Sequence, residues 1–139
     1  MISSVLVPMD ESEMAERALR YALEAHPNAD ITVVHVVGEP SSMMGGAVGI
    51  ALSEDPGAAA EEHAQELLDR AHEIAAEHDI EIVTRVTVGH PARAIINMSD
   101  QFDTVVIGSH SGSLADRLLV GNIAEKIVRR SAAPVTVAR

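Results

Sequence analysis

A chain of 139 residues, 47% hydrophobic but only 1% aromatic, has the size of one domain and must build its core from Val, Ile, Leu and Ala. The absence of cysteine excludes disulfides, thiolate metal centres and a cysteine nucleophile. A formal net charge of −11, with Lys126 the only lysine among ten basic residues, argues against nucleic acid and anionic membranes as partners and suits high salt, where self-repulsion is screened.

No apolar run approaches the roughly 20 residues that span a bilayer, and Met1-Ile2-Ser3-Ser4 lacks the basic start of a signal peptide, so a cytoplasmic protein is expected. Ile2 to Pro8 reads as a first strand with Val5-Leu6-Val7 as its buried middle. Pro8-Met9-Asp10 turns the chain, and a helix follows from Ser12 to Ala25, with Ala15, Ala18, Leu19, Ala22 and Leu23 on one stripe. Pro27 and Asn28 stop it. Ile31 to Val37 is a second strand, apolar except for Thr32 and His35. Residues 38–57 are rich in Gly, Ser, Met and Pro, too long and irregular for an ordinary connection.

Helical spacing returns from Ala58 to His78 through Ala60, Ala64, Leu67, Leu68, Ala71, Ile74 and Ala75. Glu81 to Val88 alternates, as a strand near a sheet edge does. Pro91 then opens a short helix to Ser99. Phe102 to Ile107 is a fourth strand, Asn122 to Arg130 a last helix, and Pro134 to Ala138 a fifth strand. This alternation predicts one α/β domain over residues 1–139: three layers, a doubly wound sheet of five parallel strands, helices on both faces. In such a sheet ligands bind beyond the carboxyl ends of the strands, at the point where the strand order reverses. Pro8 to Asp10, Val36 with Val37, and the loop that starts at Gly108 should meet there.

The loop Gly108-Ser109-His110-Ser111-Gly112, followed by a helix at Gly121, has the make-up of an anion site: small residues leading to the unpaired N–H groups of a first helical turn. Asn122 with Glu125 also reads as a capping-box pair, which needs no ligand. Asp10 has two readings. An acid after a central strand can accept hydrogen bonds from a ribose or help hold a metal–phosphate complex, and Asp10 or Ser12 can equally cap the first helix.

Other motifs fail. The Walker pattern is absent, and no G-x-G-x-x-G follows the first strand. The nucleophile elbow has His110 where serine is needed. His72-Glu73 lacks the second zinc-binding histidine, since position 76 is Ala, and His63, His72 and His78 read as exposed helix residues. With no nucleophile and base in view, catalysis is not expected.

Val5-Leu6-Val7-Pro8-Met9-Asp10-Glu11-Ser12-Glu13, His35-Val36-Val37, Val88-Gly89-His90-Pro91, Gly108-Ser109-His110 to Gly121, Glu125 to Ser131 and Pro134-Val135-Thr136-Val137 together resemble the universal stress protein family across essentially the whole chain. The resemblance implies strand order 3-2-1-4-5 and a stress-response regulatory module that binds ATP, or AMP or ADP, usually with Mg²⁺. It places Pro8, Met9 and Asp10 by the adenine and ribose, with Val36 offering its backbone to adenine. Ile107, Gly108, His110, Ser111, Gly112, Gly121, Asn122 and Ile123 would wrap the phosphates. It also implies a homodimer paired through Val135 to Ala138. ATP-binding members carry G-x-x-G, nine residues, then G followed by Ser or Thr; here Gly108 and Gly121 match, while Ser111 and Asn122 depart. Those departures keep open a second reading, a dimeric interaction protein of the same fold without the nucleotide. A third reading, an enzyme of the related pyrophosphatase group, would need that group's glycine-serine loop after the first strand, which this chain lacks.

Overall fold

The computed structural model describes residues 1–38, 56–110 and 121–139. In chain order these form β1 (Ser4–Pro8), α1 (Glu13–Ala25), β2 (Asp30–Val37), α2 (Pro56–Glu77), β3 (Val83–Val88), α3 (Pro91–Met98), a single 3₁₀ turn (Ser99–Gln101), β4 (Thr104–Gly108), α4 (Asn122–Arg130) and β5 (Val135–Ala138). The strands make one five-stranded sheet in the order β3-β2-β1-β4-β5, and every pairing is parallel. Both expectations, alternation and strand order, are met.

Strand period 2 divides the core between the two faces. Val5 and Val7 of β1, Ile31 and Val33 of β2 and Val106 of β4 pack with Leu19 and Leu23 of α1 and Leu68 and Ile74 of α2. On the other face Leu6, Val34, Val36, Val105 and Ile107 pack with Ile95 of α3 and Ile127 of α4. Central strands covered on both sides must be apolar at every position, which is why Val5-Leu6-Val7 and Val105-Val106-Ile107 are unbroken apolar runs. Among the described residues β3 has one neighbouring strand, and its Val83, Val86 and Val88 are at least half exposed.

Two of the strands start later than their apolar patterns suggest. β1 begins at Ser4 rather than Ile2, and β4 at Thr104 rather than Phe102. The reason is a long-range latch. The Asp103 carboxylate accepts hydrogen bonds from the backbone N–H groups of Ser3 (2.8 Å) and Ser4 (3.1 Å) and from the Ser3 hydroxyl (2.8 Å). Asp103 N–H in turn donates to the Ser4 carbonyl at 3.1 Å. The carboxylate thus adds side-chain bonds to the backbone bonds where the two strands enter the sheet.

The backbone N–H of Ser3, with the Ser3 hydroxyl and the Ser4 N–H, holds the Asp103 carboxyl below the usual carboxylate range. A depressed folded-state pKa stabilises the fold fully above the unfolded-state pKa of about 4, and that contribution disappears as pH falls through the folded-state value. Glu77, held down by Arg20, acts with the same sign. The urea midpoint is therefore expected to stay flat near neutrality and to fall below about pH 4. Asp103→Asn should flatten part of that acid slope, and an unchanged slope would mean that the latch does not form in solution.

Among the described residues no helix is long and apolar enough to cross a membrane.

Candidate functional site

The strand order reverses between β1 and β4, and beyond their carboxyl ends lies a cleft of about 780 Å³, within the size range of small-molecule sites. Pro8, Met9 and Asp10 enter it from the end of β1, Val36 from β2, Ile107, Gly108 and His110 from β4, and Gly121, Asn122 and Ile123 from the start of α4. Ten of the twelve residues singled out from the sequence therefore share one cleft. The other two, Ser111 and Gly112, lie outside the described residues.

Both readings of Asp10 and Ser12 gain something. Ser12 is the N-cap of α1, its hydroxyl accepting from Ala15 N–H at 3.1 Å. Asp10 stands outside the helix, where its Oδ1 accepts from Ser12 N–H at 2.8 Å and steadies the turn. Only one carboxylate oxygen is used in that bond, and Asp10 lines the cleft.

The start of α4 corrects the capping expectation. Gly121, not Asn122, is the N-cap, and among the described residues no side chain caps the helix. Gly121 N–H donates to the Ser109 carbonyl at 2.6 Å, and a Cβ at position 121 would stand 3.3 Å from both that oxygen and the His110 Cα. The close crossing selects glycine as the cap and pushes Asn122 into the first turn. Glu125 pairs with Arg129 at 2.9 Å instead of reaching back. The first turn therefore opens on the cleft with N–H groups that no side chain of the described residues caps and with the positive end of the helix dipole.

Gly108 is also more than a gap for a ligand. A Cβ there would lie 2.9 Å from the carbonyl carbon and oxygen of Met14, so glycine is what lets α1 sit against the end of β4.

Beside these glycines, His110 is only 9% exposed, and among the described residues neither ring nitrogen has a hydrogen-bond partner; the neighbouring Ser109 hydroxyl is buried and without a partner among them as well. Leaving such groups unsatisfied is costly, so unpaired nitrogens in a cleft wall point to a polar ligand.

His35 was not singled out as a site residue, although it is the polar interruption near the end of β2. Its Nδ1 lies 3.0 Å from the Met9 carbonyl, and the residue lines the cleft. His63, expected to be exposed, is half-buried: its ring meets that of His35 edge-on with centroids 5.9 Å apart, and its Nε2 is 3.9 Å from Glu11. His78 is half-buried too, its Nδ1 being 3.1 Å from the Ile74 carbonyl; His72 is exposed as expected. Helical periodicity identifies the face of α2, but not the ring that β2 places beneath it.

A doubly wound parallel sheet with a polar crevice at its switch point and an uncapped helix start beside it defines a Rossmann-like α/β ligand-binding architecture. The model of the universal stress protein family matches residues 1–139, and the chain belongs to that family. Its similar relatives include universal stress protein YxiE of Bacillus subtilis, 26% identical over 148 aligned residues and covered completely on both sides. Among solved structures, universal stress protein UspA from Lactobacillus plantarum superposes with a TM-score of 0.78 at 26% identity, over 99% of this chain and 98% of that one. The universal stress protein from Archaeoglobus fulgidus in complex with dAMP has the same fold, with a TM-score of 0.69 at 20% identity over 100% and 98% of the two chains.

Proposed function

We propose that this protein is an adenine-nucleotide-binding regulatory module of the stress response, acting in the cytoplasm as a homodimer. The observation that carries the proposal is the buried, unpartnered His110 beside the uncapped start of α4. Membership of the family, and the dAMP complex of the Archaeoglobus fulgidus protein of this fold, support adenine as the base. Pro8, Met9 and the backbone of Val36 would hold the adenine and ribose, with Asp10 at the ribose. His110 and the N–H groups of Asn122 and Ile123 would meet the phosphate.

Among the described residues no group of three or more side chains is arranged to hold a metal. A Mg²⁺ ion accompanying ATP would depend on the nucleotide's own oxygens with Asp10. Among the described residues the outer edge of β5 has no neighbour in the sheet, which suits pairing of Val135 to Ala138 across a twofold axis.

Calorimetric titration with AMP, ADP and ATP, each with Mg²⁺, tests this reading. Binding of at least one is expected, and His110→Ala should weaken it about tenfold or more. Silence from all three at millimolar concentration would defeat the proposal. It would favour the dimeric interaction protein, the reading to which Asn122 in place of Ser or Thr points.

A further inference from the structure

The edge of β5 is too short to hold two copies together by itself. Its 4 residues span about 13 Å, whereas stable protein pairs bury roughly 800 Å² on each partner. On the homodimer reading, which this inference extends, surface beside that edge must take part as well.

α1 supplies such a surface. Arg17, Tyr21 and Glu24 line a cavity of about 440 Å³ whose other wall is Thr136 to Ala138 of β5. Tyr21 is the chain's only tyrosine, and it stands 46% exposed beside a strand edge that has no neighbour among the described residues. A ring held there forgoes burial in the single copy, and tyrosine and arginine are the side chains enriched where proteins meet.

A twofold axis decides what the ring would face. When two β5 strands pair antiparallel about an axis perpendicular to the sheet, the two α1 helices lie antiparallel on the same face of the joined sheet. α1 packs chiefly over β4, one strand in from the edge. Three strand spacings therefore separate the helices, roughly 14 Å, which is more than the 8–10 Å of helices in direct contact. Long side chains such as Tyr and Arg bridge that gap. Tyr21 stands near the middle of the cavity-lining stretch of α1, with Arg17 towards one end and Glu24 towards the other. Antiparallel helices thus set Arg17 of one copy against Glu24 of the partner subunit. Both are loosely engaged within one chain: Arg17 lies 3.5 Å from Glu13 and Glu24 lies 3.7 Å from His78, surface pairs that contribute little. Arg20, which also reaches the cavity, is committed to Glu77.

We infer that the cavity between α1 and β5 is completed by a second copy of this chain, with Tyr21 packing against its twin near the twofold axis and Arg17 pairing with Glu24 of the partner subunit.

Sedimentation equilibrium of the full chain tests this. The wild type should be a dimer, and Tyr21→Ala should raise the dissociation constant about tenfold or more. Arg17→Glu and Glu24→Arg should each weaken the dimer about threefold or more, since each sets like charges together twice per dimer, and the double variant should recover most of that loss. All three positions are exposed, so the variants should keep the wild-type thermal midpoint. A Tyr21→Ala dimer as tight as wild type would overturn the inference and leave the strand-paired dimer standing. Single reversals without effect, or no recovery in the double variant, would overturn it too, because Arg17 and Glu24 would then not face each other. A wild-type chain that stays monomeric at high micromolar concentration removes the homodimer reading and the inference together.

Discussion

Gly108→Val is expected to cost about 3 kcal/mol of stability, at the upper end of what overpacking a filled core does. The first atom of the new side chain is already the problem. A Cβ at position 108 comes within 2.9 Å of the Met14 carbonyl carbon and oxygen, which are backbone and cannot rotate away. To relieve the contact the first turn of α1 must move off β4. That turn carries the Ser12 cap and follows the Asp10 bend, so the lost stability should come with lost nucleotide affinity. Set against the ~5–15 kcal/mol that holds a typical domain together, such a change is severe. Urea unfolding would show a large fall in midpoint, with Gly108→Ala between wild type and valine. A valine variant as stable as wild type would mean that α1 is not seated on β4 in solution.

Leu19→Ala should cost a similar amount, about 3 to 4 kcal/mol, for a different reason. Leu19 is fully buried between α1, α2 and the sheet, so its loss removes apolar burial and leaves a cavity that the surrounding strands can only partly close. It does not line the cleft. Nucleotide affinity should therefore be unchanged at temperatures where the variant is folded, in contrast to Gly108→Val. A loss below about 1 kcal/mol in the unfolding midpoint, converted with the measured slope, would contradict the packing described for this face.

Much of this architecture is legible in the residues. The stripe Ala15, Ala18, Leu19, Ala22, Leu23 lies buried along α1, as its spacing predicts, and the unbroken Val-Leu-Ile runs belong to the central strands. The cleft was partly legible: alternation of strands and helices sends Pro8 to Asp10, Val36 and Gly108 to the same end of a parallel sheet, and the family resemblance supplied the strand order. What could not be read involves partners distant in sequence. Asp103 lies about a hundred positions from the Ser3 and Ser4 groups that it holds. The pattern of Asn122 and Glu125 satisfies a local capping rule, yet the crossing of Gly121 over Ser109 and His110 decides the cap. His63 has a helical neighbourhood that looks solvent-facing until β2 brings His35 against it.

The sequence by itself determined the element types, their order and the apolar faces, because these rest on periodicity and on steric rules acting over a few residues. It also determined the acidic, lysine-poor character of the chain. Only the tertiary structure decided which polar groups are paired and which are left open. Ser12 closes the first turn of α1, while a glycine leaves that of α4 uncapped beside the unpartnered nitrogens of His110. The physical reason is that hydrogen-bond satisfaction in a buried site depends on which backbones cross there, and those crossings follow from packing the whole sheet and its helices together.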